Sequence, residues 1–176
     1  MVKQTDMPAL PSINTLVRYG KEMEKEFHVF YIEGGMYCVH GMRAIYELEF
    51  ATAHHLSVPE MRAVGLQLVD SFVQKLSQDP GIRARLKNAP NMTEGIRKAI
   101  VVYLHIGEKK QIFAKDPQRY TCVFSGDAFR YMGRDKKNGT SSQVITEESY
   151  DEAKARFNES PTIPVLTLAL ESPTEA

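Results

Sequence analysis

Residues 57–76, SVPEMRAVGLQLVDSFVQKL, place Met61, Val64, Gly65, Leu68, Val69, Phe72, Val73 and Leu76 at helical spacing. Arg62, Gln67, Asp70, Gln74 and Lys75 take the other side. An apolar stripe of this width exceeds a coiled-coil seam, so the helix needs a sheet or several helices to cover it. Fully burying each large side chain stabilises the fold by roughly 1.5–3 kcal/mol, which makes this helix the expected centre of the core. Ser57 followed by Glu60 forms a capping box, and Pro59 is tolerated in the first turn. Asp79-Pro80-Gly81 is expected to stop the helix.

At 176 residues, 43% of them hydrophobic, the chain suits one domain, expected over residues 12–157 with flexible tails at 1–11 and 158–176. No apolar run approaches a membrane span, and MVKQTDMPALPS lacks the apolar block of a secretory signal. Two cysteines, Cys38 and Cys122, make no disulfide framework, so a reducing, cytoplasmic compartment is the simplest expectation. Net charge is zero but uneven: residues 79–137 carry 13 Lys or Arg against 6 Asp or Glu, whereas residues 138–176 carry 2 against 7. A basic middle can present itself to a partner or be neutralised by the acidic end.

Along the chain, a helix from Ser12 has Leu16, Tyr19, Gly20, Met23 and Phe27 on one stripe. FHVFYI reads as a strand broken by Glu33-Gly34-Gly35. Residues 36–52 read as one alternating strand, with Ala44, Tyr46, Leu48 and Phe50 on one face and Arg43, Glu47 and Glu49 on the other; a helix is the runner-up, because Glu, Leu and Ala also suit helices. A helical turn over residues 82–86 leaves Arg83, Arg85 and Lys87 exposed. The alternation of Ile96, Ile100, Val102, Leu104 and Ile106 predicts a strand, and Gly107-Glu108-Lys109-Lys110 a hairpin turn. RYTCVF and AFRYMG are two further strands joined by Ser125-Gly126-Asp127. Residues 135–139 are a turn or mobile loop, and residues 143–145 a short strand. Thr146 caps a last helix, with Glu147 and Glu148 at its positive end and Tyr150, Ala153 and Phe157 on its stripe. In the tail, PVLTLAL at 164–170 would line Leu166, Leu168 and Leu170 on one face if extended, ready to pair with a sheet edge.

The order of these pieces resembles a family of small bacterial proteins of unknown function. The resemblance rests on Gly34-Gly35-Met36, RAIYELEF, the capped helix at 57–76, Ile82-Arg83-Ala84-Arg85-Leu86 and Glu148-Ser149-Tyr150-Asp151-Glu152-Ala153, and it covers residues 27–153. It departs at the loop, where Asn91-Met92 stands in place of the family's Phe after the proline. It implies a one-domain α+β fold and no activity.

Several groupings could carry chemistry. Cys38 and His40 share a strand face and, with His54 and His55, could supply a zinc site; no paired C-x-x-C supports it, and no metal or other cofactor is expected. Cys38 or Cys122 with His40 or His105 could make a nucleophile and base, Cys38 and His40 being the catalytic candidates; the expectation is reduced, unreactive thiols. Arg130, Arg134, Lys136 and Lys137, interleaved with Phe129 and Tyr131, could bind single-stranded nucleic acid, but no recognised motif accompanies them. Glu47/Glu49 read as the wet face of a strand, and Glu147/Glu148 as serving a helix dipole.

The expected fold is α+β: an antiparallel or mixed sheet of about five or six strands packed on the central helix, with flanking N- and C-terminal helices. The expected role is a non-enzymatic binding or protein-interaction domain with no membrane association. A Cys/His enzyme is the alternative, and a nucleic-acid-binding accessory is third. A pocket joining a Cys to a His would favour the enzyme; an exposed apolar or basic patch without one would favour binding.

Overall fold

The computed structural model describes residues 7–39, 43–106, 120–134 and 142–162. Ser12 caps α1 (Ile13–Phe27), accepting from the Thr15 amide, and His28 ends it in the left-handed region. Then follow β1 (Phe30–Val39), β2 (Arg43–Thr52), α2 (Val58–Ser77), α3 (Pro80–Leu86), α4 (Met92–Arg97) and β3 (Ile100–Ile106). β4 (Tyr120–Ser125), β5 (Ala128–Arg134), β6 (Ser142–Ser149) and α5 (Tyr150–Glu159) complete the described elements. The six strands form one mixed sheet ordered as in the chain, antiparallel throughout except that β2 and β3 run parallel. A parallel pair needs a long crossover, and α2, α3 and α4 supply it. This is the expected α+β class, with the strand directions now assigned.

The capping box at Ser57 and Glu60 is present, and α2 buries Met61, Val64, Leu68, Val69, Phe72 and Leu76. They pack with Leu48 and Phe50 of β2, Val102 and Leu104 of β3, Phe124 of β4 and Phe129 of β5. α1 adds Leu16 and Met23, α3 Ile82, α4 Ile96 and α5 Ala153 to the same cluster. Among the described residues, no helix is long and apolar enough to cross a membrane.

Three expectations are corrected. Glu33-Gly34-Gly35 does not break a strand: β1 runs through it, and residues 36–39 and 43–52 belong to two antiparallel strands. A Cβ on Gly34 would come 2.8 Å from Leu48 Cδ2 and 3.2 Å from Glu47 O, so glycine is there because β1 and β2 approach closely. The bulge lies just before, at Ile32. Second, Ile96 and Arg97 are helical: Asn91 caps α4 by accepting from the Glu94 amide, and the strand begins only at Ile100. Third, Thr146, Glu147 and Glu148 extend β6; the cap of α5 is Ser149, which forms a capping box with Glu152.

The turn joining β4 to β5 is Gly126-Asp127, with φ of 60° and 63°, the positive pair that a type I′ hairpin uses. Pro11 is buried, Leu10 packs on the core, and Arg85 Nη1 donates to the Pro8 carbonyl at 2.8 Å, so residues 8–11 lie against α3. The expected turns at 107–110 and 135–139 and the segment 164–170 lie outside the described residues.

Candidate ligand pocket

α2 is 20 residues long, about 30 Å at 1.5 Å per residue, and so carries Leu76 past the sheet to the starting ends of β2 and β3. There the chain turns sharply twice. Asp79 caps α3, its Oδ1 accepting from the amides of Gly81 (2.9 Å) and Ile82 (3.1 Å), with Pro80 in the first turn. Asn91 then caps α4, and Ala99 leads into β3, its carbonyl accepting from the Tyr46 amide at 2.9 Å. Two helices of 7 and 6 residues are too short to close this end by themselves. A pocket of about 360 Å³ remains, at the small end of the roughly 300–1,000 Å³ of ligand sites.

Its wall is apolar: Leu10, Ala44, Leu76, Ile82, Leu86 and Ile96, with Gly95 and Ala99. Its polar members are Tyr46, Arg85 and Lys98. Tyr46 is 3% exposed, and its hydroxyl is buried without a hydrogen-bond partner among the described residues. Leaving a hydroxyl so placed costs about 1–3 kcal/mol unless something bonds to it. Burial raises the Tyr46 pKa, the charges of Asp79 and Cys38 raise it further, and Arg85 opposes them. The phenol therefore keeps its proton. Arg85 and Lys98 are exposed, on the open side. Lys98 Nζ meets Glu94 Oε1 at 2.6 Å, and Arg85 Nη1 is held by the carbonyls of Pro8 and Gly81.

Among the described residues, no Cys, His, Asp or Glu lines this pocket. Cys38 stands opposite Ala44 in the register, on the same sheet face, but it is exposed. His40 lies outside the described residues. Cys122 is buried on the helix face, and burial drives its thiol pKa far up. Leu104 pairs with Cys122 and His105 with Thr121, so His105 points from the opposite face and cannot serve Cys122 as a base. His54 and His55 follow the far end of β2, roughly 30 Å from the Cys38 end at about 3.3 Å per residue. The Cys38–His54–His55 zinc grouping is thereby lost, and no set of three His, Cys, Asp or Glu side chains among the described residues is placed to hold a metal ion.

The basic candidates fare no better. Phe129 and Tyr131 are buried in the core and offer no base a stacking surface. Arg130 lies on the other face, its Nε 3.2 Å from Glu147 Oε2 across the β5–β6 pair. The side chains of Arg134, Lys136 and Lys137 lie outside the described residues. Glu147 and Glu148 serve no helix dipole: the first pairs with Arg130, and the second is buried against Arg62, Tyr131 and Arg156. Glu47 and Glu49 are half-buried on the face away from the helices.

Sequence reasoning missed Tyr46, Arg85 and Lys98 as a group. Tyr46 read as one core position of an alternating strand and Arg85 as a solvated charge. The signal that joins them is tertiary, since it brings residues from 10 to 99 to one place. No protein-family model matches the chain, and no curated protein matches it.

Proposed function

We propose that the protein is a non-enzymatic binding domain of a reducing, cytoplasmic compartment, and that the pocket between α2, α3 and α4 holds its ligand. The observation that carries this is the pocket itself, about 360 Å³, walled by Leu10, Leu76, Ile82, Leu86 and Ile96 and, among the described residues, carrying two cations, Arg85 and Lys98, which are exposed. The pocket has a place for an apolar body and, at the cations, for a polar group, which is how small-molecule sites are built. Among the described residues its lining has no thiol, imidazole or carboxylate to start a reaction. The cytoplasmic part of the reading is supported by Cys38 and Cys122 both being free thiols, one of them exposed.

The test is titration with 8-anilinonaphthalene-1-sulfonate followed by amide NMR. Shifts should gather at Ala44, Gly95 and Ala99. A Cβ on Gly95 would meet no other atom, so Gly95→Leu has room to place its side chain and should abolish those shifts by filling the pocket. Shifts spread over other surfaces, or unchanged in Gly95→Leu, would remove the pocket from the reading.

A further inference from the structure

We infer that the ligand of this pocket is an organic acid, a compact apolar body ending in one carboxylate. The inference rests on the binding reading above and names its ligand class. Among the described residues, both charged members of the wall are cations, Arg85 and Lys98. The nearby carboxylates are engaged elsewhere: Asp79 caps α3, and Glu94 holds Lys98 from outside the wall. A cationic ligand would meet two like charges at the opening. A neutral one would leave both unused.

Arg85 decides for an acid. Its Nη1 donates to the carbonyls of Pro8 (2.8 Å) and Gly81 (3.0 Å). Carbonyls fix the guanidinium at the rim without cancelling its charge. A guanidinium pinned through one nitrogen keeps the edge formed by Nε and the other terminal nitrogen, the two-pronged donor that matches a carboxylate. Lys98, half-exposed and shared with Glu94, adds a point charge beside it. Leu76, Ile82, Leu86 and Ile96 would cover the apolar body.

The experiment compares octanoate, 1-octanol and octylammonium at pH 7 by calorimetry, on wild type, Lys98→Gln and the double variant Arg85→Gln/Lys98→Gln. Octanoate should bind at least fivefold tighter than octanol, and octylammonium weakest. Lys98→Gln should narrow the octanoate advantage, and the double variant should abolish it. Octanol affinity, measured on each variant, is the reference from which the octanoate advantage is taken. If octanol binds as tightly as octanoate, or if Lys98→Gln leaves the octanoate advantage whole, the acid inference is overturned and the binding reading stands. If no member of the series binds the wild type, both fall.

Discussion

Arg62 Nε on α2 donates to Glu148 Oε1 at the end of β6 across 2.6 Å, a charged pair with one member wholly inside the fold. Glu148 is 1% exposed. Its carboxylate is satisfied on both oxygens: Tyr131 donates to Oε1 at 2.6 Å, and Arg156 Nη1 to Oε2 at 2.8 Å. The four side chains tie the central helix to β5, β6 and α5. Such a pair is a weak source of net stability while intact, but removing Arg62 leaves the buried charge with only the half-exposed Arg156 to balance it. Arg62→Leu should therefore lose about 3 kcal/mol in urea unfolding. Arg18→Ala, at the exposed Arg18–Glu22 pair (3.9 Å), should lose less than about 1 kcal/mol. Equal losses would show that burial does not distinguish the two pairs.

On the sheet face away from the helices, Glu33 of β1 stands opposite Glu49 of β2, with Glu47 two residues along. Burial, and then Glu33, hold Glu47 above the ordinary carboxylate range. Burial, Glu33 and Glu47 do the same to Glu49. Protonated His105, with Nε2 3.5 Å from Glu49 Oε2, would oppose this. As pH rises through the ordinary carboxylate value, the unfolded chain releases protons that the fold still holds. The contribution of these groups to stability is thus present at low pH and lost as pH passes their raised values. Like charges directly opposite cost about 0.2–1 kcal/mol, so Glu33→Gln should gain about 0.5 kcal/mol at pH 7 and nothing at pH 3, where the raised Glu47 and Glu49 carry no charge to repel it. Urea midpoints at the two pH values check this; an equal gain at both would mean the effect is not one of charge.

The parts legible in the sequence were those whose causes are local. Ser57 and Glu60 announce α2 because cap and partner are three residues apart, and the stripe behind them repeats every turn. The strands around Cys122 and Tyr131 could be read because Gly126-Asp127 sits between two alternating runs. α4 was lost because Ile96 and Ile100 are four residues apart, a spacing that fits both a helix and a strand. The Asn91 cap was the better guide. The role of Gly34 was misread because a glycine at a turn and one beneath a crossing side chain look the same without the Leu48 neighbour. Nothing local distinguishes Glu148 from Glu147, yet one is buried and the other is not. The pocket is less legible still, because the missing partner of Tyr46 is a property of the packed fold.

The two thiols should separate cleanly. Cys38 is exposed on β1, while Cys122 is buried beneath α2 with its thiolate strongly disfavoured by burial. Since the thiolate is the reacting form, titration with Ellman's reagent under native conditions should give one equivalent, absent in Cys38→Ser. The second should appear only with denaturant. Two native equivalents would mean that the packing around Cys122 opens readily.

Residues 8–11 form the outer wall of the pocket through Leu10, and their seat is Gly81. A Cβ on Gly81 would overlap the Ala9 carbonyl, which is backbone and cannot swing aside as a side chain would. In an exposed helix, Gly→Ala gains about 1 kcal/mol from propensity. Here that gain is set against the loss of the Arg85–Pro8 hydrogen bond and the burial of Pro11. Gly81→Ala should change global stability little, since the two effects oppose each other. It should release the N-terminal segment. In 15N relaxation the order parameters of Ala9 and Leu10 should fall from about 0.85, typical of rigid backbone, to below about 0.6. The pocket should then lose its Leu10 wall, and octanol affinity with it. Order parameters unchanged in Gly81→Ala would mean that α3 shifts to admit the methyl group, and that residues 8–11 are held by Arg85 rather than by the fit at Gly81.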